Sequence, residues 1–180
     1  MTFLPSLPGQ AIYRELVARF PDPLRELDPF TRRLLYGPSA FDLGERELMA
    51  AYVSILNRCD YCTLSHRPAA EAHGVDANRL TVIEKGPDAM QGDDALRPVF
   101  QLIRRVVQGE AGNAESVTAV LDAGWSEDAV IQAVAITGYW TMINRIVNAL
   151  GITADDAYYA RMGPQLAREG REIAASFEGG

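Results

Sequence analysis

Residues 126–151 read SEDAVIQAVAITGYWTMINRIVNALG, and the state of their centre decides the fold. On composition alone VIQAVAITGYW (130–140) suits a buried strand, because β-branched and aromatic residues favour extended backbone. The apolar spacing around it is helical, however, and runs unbroken from a polar start at Ser126 to Gly151. Strands are short and helices long, so length makes this segment a helix. The same punctuation, a polar start and a terminal glycine, recurs through the chain. AIYRELVARF (11–20) carries Ile12, Leu16, Val17 and Phe20 as a one-sided stripe, and PLRELDPFTRRLLYG (23–37) is interrupted at Pro29 and closed by Gly37. DLGERELMAAYVSILNR (42–58) places Leu48, Tyr52, Ile55 and, just beyond, Cys59 on one face. Asp42 is its expected cap, with acidic residues in the first turn where the helix dipole favours them. Helical stretches follow at 63–74, at 75–86 with Asp76 as cap, at 93–109 and at 113–124. GERELMAAYVSIL (44–56) and SEDAVIQAVAITG (126–138) share an acidic start before an apolar run, a hint of a repeated helical unit. The fold class is all-α.

At 180 residues, 48% hydrophobic and 23% charged, the chain has the composition of an ordinary globular domain, and a single domain over 1–180 is expected. Its net charge of −7 argues against binding a phosphate backbone, so no nucleic-acid partner is expected. No apolar run approaches the roughly 20 residues that span a bilayer. The start, MTFLPSLPGQAIYRE, has no basic region and two early prolines, unlike a signal peptide, so a cytoplasmic protein is expected. Thiols stay reduced there, and a close cysteine pair then points to catalysis or metal binding rather than to a structural bridge. Dinucleotide fingerprints, P-loops and serine-nucleophile elbows are all missing from the sequence.

That pair lies in NRCDYCTLSH (57–66), which holds both cysteines and one of the two histidines. Asp60 is expected to cap a helix beginning at Tyr61, after a break near Cys59. Cys62 then sits in the first turn, where free backbone N–H groups favour a thiolate, and His66 lies one turn further on the same face. Cys59, at the end of the preceding helix, faces a negative dipole, so Cys62 is expected to be the more acidic thiol. Residues three apart on a helix have α-carbons about 5 Å apart, within disulfide range. Zinc lacks a fourth ligand, because His73 lies about 10 Å beyond His66 along the axis, and no metal or other cofactor is expected. A redox dithiol and two buried core cysteines both fit the spacing. Elsewhere, His73 reads as a helix-terminal residue, and Tyr52, Tyr139 and Trp140 as core, interface or pocket wall. Asn144 and Arg145 read as parts of a buried ion pair or an interface.

ELMAAYVSILNRCDYCTLSH (47–66) resembles the core motif of the alkylhydroperoxidase D (AhpD)-like proteins of the carboxymuconolactone decarboxylase superfamily: Glu, eleven residues, then Cys-x-x-Cys-x-x-x-His. Glu47, Cys59, Cys62 and His66 fill it without a gap. The likeness extends more loosely over residues 95–150, and the first 40 residues resemble the N-terminal extension of the peroxidase-related members. The resemblance implies an AhpD-like helical bundle with an N-terminal extension (1–40), a core (41–150) and a C-terminal helical segment (151–180). It implies a homo-oligomer that reduces hydroperoxides through a dithiol–disulfide cycle, recharged by an external thiol or dithiol reductant. Cys62 matches the peroxide-attacking sulfur, Cys59 the resolving sulfur, Glu47 the acid/base carboxylate and His66 the relay. One relative has His immediately before the second Cys, where this chain has Tyr61. The cysteine pair argues against the decarboxylase chemistry of members that lack it. Two other readings are a redox sensor or thiol adaptor, and a non-enzymatic oligomeric binding protein on the same scaffold.

Overall fold

Asp42 accepts a hydrogen bond from the Glu45 backbone N–H at 2.7 Å, and the Glu45 carboxylate accepts from the Asp42 N–H at 2.9 Å. This reciprocal cap satisfies two otherwise unpaired donors and starts the central helix, α4 (Leu43–Leu56). Ten of its 14 residues are buried, among them Arg46 and Glu47. A helix enclosed on every side forms the middle of a core rather than its edge. The Arg46 guanidinium is compensated by carbonyls, donating to Gly37 at 2.7 Å and to Asp42 at 3.2 Å.

The computed structural model describes residues 1–92, 94–110 and 113–178, and these contain ten α-helices, one 3-10 turn (Pro87–Ala89) and no strand. Before α4 come α1 (Tyr13–Arg19), α2 (Pro21–Arg25) and α3 (Leu27–Tyr36). After it come α5 (Asp60–Ala72), α6 (Ala77–Glu84), α7 (Leu96–Val107), α8 (Ala114–Asp122), α9 (Glu127–Leu150) and α10 (Asp156–Glu178). The all-α expectation holds, as do the caps at Asp42 and Asp76. Of the stretch expected to be helical over 93–109, Asp93 lies outside the described residues, as do Gly179 and Gly180 of the C-terminal segment. The segment at 126–151 is one helix of 24 residues, capped by Ser126 through the Ala129 N–H and ended by Gly151 in the left-handed conformation.

α4 packs against α5 on one side and α9 on another, while α7 closes against α9 and α10 lies across α5 and α3. Two glycines seven residues apart, and so on one face of α10, allow that last approach. A β-carbon at Gly163 would meet Pro68 of α5 at 2.5 Å, and one at Gly170 would meet the Tyr36 ring of α3 at 2.7 Å. Gly138 of α9, by contrast, is exposed and has nothing within 4 Å of a β-carbon position.

The two kinds of glycine should answer alanine with opposite signs. Gly163→Ala is expected to destabilise by about 1–3 kcal/mol, because the new methyl meets backbone and a rigid proline ring. Gly138→Ala should stabilise by about 0.5–1 kcal/mol through helix propensity alone. Urea denaturation of the two variants beside the parent measures both.

Candidate active site

The Cys-x-x-Cys turn is made by one strained residue. α4 ends at Leu56, and Arg58 then takes a left-handed conformation (φ 54°), the only non-glycine among the described residues to do so. That reversal sends the Cys59 N–H back to the Ser54 carbonyl at 2.8 Å and puts Cys59 itself at the N-cap of α5. The Cys59 carbonyl accepts the first helical bond, from the Thr63 N–H at 2.9 Å. Two expectations are corrected here. Asp60 is the first helical residue rather than the cap, and Cys59 begins α5 rather than ending α4. Both sulfurs therefore sit at the N-terminal end of one helix.

Cys59 and Cys62 are free, buried thiols that share a hydrogen bond. Donation from Cys62 draws Cys59 below the ordinary thiol value, while the shared bond and burial push Cys62 up. This reverses the expected order of acidity, and its first cause is the hydrogen bond that the two thiols share. The Asn144 carboxamide favours the thiolate on either sulfur. Asn144 is wholly buried in α9, donates to Ser54 Oγ at 3.1 Å and accepts from Asn57 Nδ2 at 3.2 Å, so its orientation is fixed by both sides of the turn. Sequence reading placed Asn144 and Arg145 together in a buried ion pair or interface. The structure separates them: Asn144 reaches the sulfurs, and Arg145 is exposed.

Beside the thiols runs a chain of hydrogen bonds through a carboxylate. Glu47 has 0% exposure; its Oε1 accepts from Tyr36 Oη at 2.7 Å and its Oε2 pairs with His66 Nδ1 at 2.6 Å. A carboxylate accepts and an imidazole N–H donates, so the proton on neutral His66 is on Nδ1. The other ring nitrogen, Nε2, accepts from the Trp140 indole N–H at 2.7 Å. Four helices, α3, α4, α5 and α9, thus meet through Tyr36, Glu47, His66 and Trp140. Trp140 was expected as core, interface or pocket wall, and Tyr36 was not singled out in the sequence.

Cys62 and His66 open on a cavity of about 670 Å³, and Cys59 does not. Apolar and aromatic side chains form most of its wall, with Leu24 and Leu27 on one side, Trp140 and Ile143 on another and Met162 and Leu166 of α10 opposite. Arg14, Arg25, Asp28 and Glu169 supply its charged groups, two of each sign. Tyr61 lines the same cavity, but its hydroxyl is already engaged. Its hydroxyl accepts from the Tyr13 backbone N–H at 3.1 Å and pairs with Tyr158 Oη at 2.7 Å, tying α5 to α1 and α10. His73 caps the C-terminus of α5 as expected, but burial holds it below the usual histidine value, opposite to a helix-end imidazolium. No group of three or more His, Cys, Asp or Glu side chains suited to a metal ion occurs among the described residues.

Residues 21–105 match the carboxymuconolactone decarboxylase family, so the resemblance carried by Glu47, Cys59, Cys62 and His66 holds over the segment that contains them. None of the curated proteins matches the chain. Among solved structures, it is similar to the alkylhydroperoxidase AhpD core of a peroxidase-related protein from Ralstonia eutropha JMP134, with a TM-score of 0.73 and 20% identity over 83% of this chain and 78% of that one. A peroxidase-related protein from Silicibacter sp. TM1040 gives a TM-score of 0.69 and 19% identity over 77% of this chain and 73% of that one. The fold is AhpD-like.

Asn144 gives a direct test of the thiol electrostatics. Asn144→Ala removes a donor that favours the thiolate, and a hydrogen bond to a charged group contributes about 1.5–3 kcal/mol. The pH profile of cysteine alkylation should therefore move alkaline by about one unit. Alkylation rates read by mass spectrometry across pH 6–10 (about four units, enough to define a midpoint) measure it, and an unmoved profile would remove Asn144 from the site.

Proposed function

We propose that the chain, through the family segment that carries its cysteine pair, is a thiol-dependent peroxidase acting on organic hydroperoxides. The observation that carries this reading is the placing of one reachable sulfur, Cys62, on an apolar cavity, with a second, unreachable sulfur hydrogen-bonded behind it. A metal-free peroxide reduction needs those two things: a thiolate that meets the oxygen, and a thiol close enough to resolve the product.

The pair holds its first negative charge on Cys59, with Cys62 as donor. Passing that proton across the shared bond puts the thiolate on Cys62, facing the cavity, and leaves Cys59 as a thiol. The Cys62 sulfur then forms a bond to the terminal oxygen of the hydroperoxide. The O–O bond breaks, its electron pair leaves with the alkoxide, and the alkoxide takes up a proton to become an alcohol. Cys62 is left as a sulfenic acid. The Cys59 sulfur displaces its hydroxyl as water, giving the Cys59–Cys62 disulfide, and an external dithiol returns two electrons and two protons by exchange. The first proton lost from the pair goes to His66 Nε2, once Trp140 releases that nitrogen, and Glu47 on Nδ1 stabilises the imidazolium.

Assembly into a homo-oligomer belongs to the same reading. Ile131, Val134 and Met142, at helical spacing on α9, form an exposed apolar stripe, with Ile131 65% exposed. Contiguous apolar surface of this kind is characteristic of interfaces. Light scattering should give a mass above the 19.7 kDa of one chain, and Ile131→Glu should lower it.

Cys59→Ser should leave a trappable sulfenic acid on Cys62 after one equivalent of peroxide. Its attack should also be slower at neutral pH, because the neighbouring thiolate that accepts the Cys62 proton is gone. Cys62→Ser should leave Cys59 unreactive, since no peroxide reaches it. Glu47→Gln should slow the attack at least about tenfold by withdrawing the carboxylate from the imidazolium. Dimedone trapping and stopped-flow peroxide consumption check these outcomes, and trapping on Cys59 instead would reverse the two sulfurs.

A further inference from the structure

Four tyrosines line the cavity, and three have hydrogen-bonded hydroxyls. Tyr61 and Tyr158 pair with each other, and Tyr139 pairs with Thr31. The fourth, Tyr13, has a buried hydroxyl with no hydrogen-bond partner among the described residues. A buried hydroxyl left unpaired costs roughly 1–3 kcal/mol, so its retention on a residue that lines the cavity points to a partner that comes and goes. Tyr13 is held in place from its backbone, where its N–H donates to Tyr61 Oη at 3.1 Å. Tyr61 is the residue immediately before Cys62. The phenol that lacks a partner is thus anchored, through one hydrogen bond, to the residue next to the reachable sulfur.

We propose that the Tyr13 hydroxyl is the catalytic acid that protonates the oxygen leaving when a hydroperoxide is cleaved at Cys62. This rests on the peroxidase reading above and adds the proton donor that the reaction needs. As the sulfur–oxygen bond forms and the O–O bond breaks, the departing alkoxide gains an electron pair. The Tyr13 O–H bond gives its proton to that oxygen, releasing an alcohol, and the phenolate is reprotonated by the first proton lost from the thiol pair, held on His66 Nε2. Sulfur is oxidised by two electrons and the peroxide bond is reduced by the same two.

The electrostatics suit a donor. Burial, followed by the neighbouring Tyr139 and Cys62, pushes the Tyr13 hydroxyl up to about 12, so it carries its proton throughout the neutral range. An alkoxide is a stronger base than a phenolate, and the transfer runs downhill. Tyr13 lies in α1, outside the matched residues 21–105, so the family segment does not supply this group.

Tyr13→Phe tests it cleanly, because the hydroxyl removed has no partner to lose and the fold should hold. General acid catalysis of this type contributes about 10²–10⁴-fold. Tyr13→Phe should therefore slow consumption of cumene hydroperoxide, whose leaving group is an alkoxide, by about a hundredfold or more. Peracetic acid releases a carboxylate that needs no proton, and its reaction should slow less than about threefold. The rate at which iodoacetamide alkylates Cys62 should be unchanged, showing that the sulfur is still presented. Equal slowing of both oxidants, or of alkylation as well, would make Tyr13 a packing residue and overturn the proposal. An unaltered cumene hydroperoxide rate would overturn it alone, leaving the peroxidase reading intact. A parent protein inert to both oxidants, yet alkylated at Cys62, would overturn the peroxidase reading and this inference with it.

Discussion

Everything at the centre of this molecule is arranged around one buried carboxylate. Glu47 has no exposed surface, and an ionised carboxyl removed from water must be hydrogen-bonded on both oxygens to be tolerated. Tyr36 from α3 supplies one partner and His66 from α5 the other. These requirements fix the mutual placement of three helices to within hydrogen-bond tolerance. The same bonds set the chemistry, because a carboxylate on Nδ1 determines which nitrogen of His66 is left to act. Packing follows from this, too: the Tyr36 ring needed by Glu47 is the surface against which Gly170 of α10 rests.

The thiols are governed by a different economy. Two sulfurs at one helix N-terminus, hydrogen-bonded to each other and watched over by an amide, hold one charge more readily than two. Acidity and reachability are divided between them: Cys59 carries the lower value, and Cys62 faces the cavity. A nucleophile need not be the more acidic member of such a pair if a proton can cross between them. The strained turn at Arg58 is what creates the arrangement, since an ordinary helix end would have left Cys59 facing the carbonyls of α4.

The cavity draws on the rest of the chain. Residues 21–105 contain the sulfurs, the carboxylate and the histidine, but Trp140, Asn144 and Ile143 come from α9, Tyr158, Met162 and Leu166 from α10 and Tyr13 from α1. The cluster of sulfurs, carboxylate and histidine in one segment is thus enclosed by helices from both ends of the chain. The enclosing wall is largely apolar, which raises the strength of every hydrogen bond inside it.

Sequence alone determined the helical fold class and picked out the Glu47–Cys59–Cys62–His66 cluster, for reasons that are local. Apolar spacing, caps such as Asp42 and Asp76 and terminal glycines act within a few residues, and the interval from Glu47 through Cys59 and Cys62 to His66 is written along two consecutive helices. It did not determine the acidity order of the sulfurs, because that follows first from the hydrogen bond the two thiols share and from which of them donates. Nor did it give Tyr36, Trp140 and Asn144 their hydrogen bonds in the site, although Trp140 was among the expected pocket walls. These are 11, 93 and 97 positions from Glu47, and nothing along the chain ties them to it. Only the packing of α3 and α9 on α4 and α5 brings their polar atoms to the carboxylate, the imidazole and the sulfurs. Hydrogen bonds reach about 3 Å in space, and no periodicity along a chain records which distant side chains will fall within it.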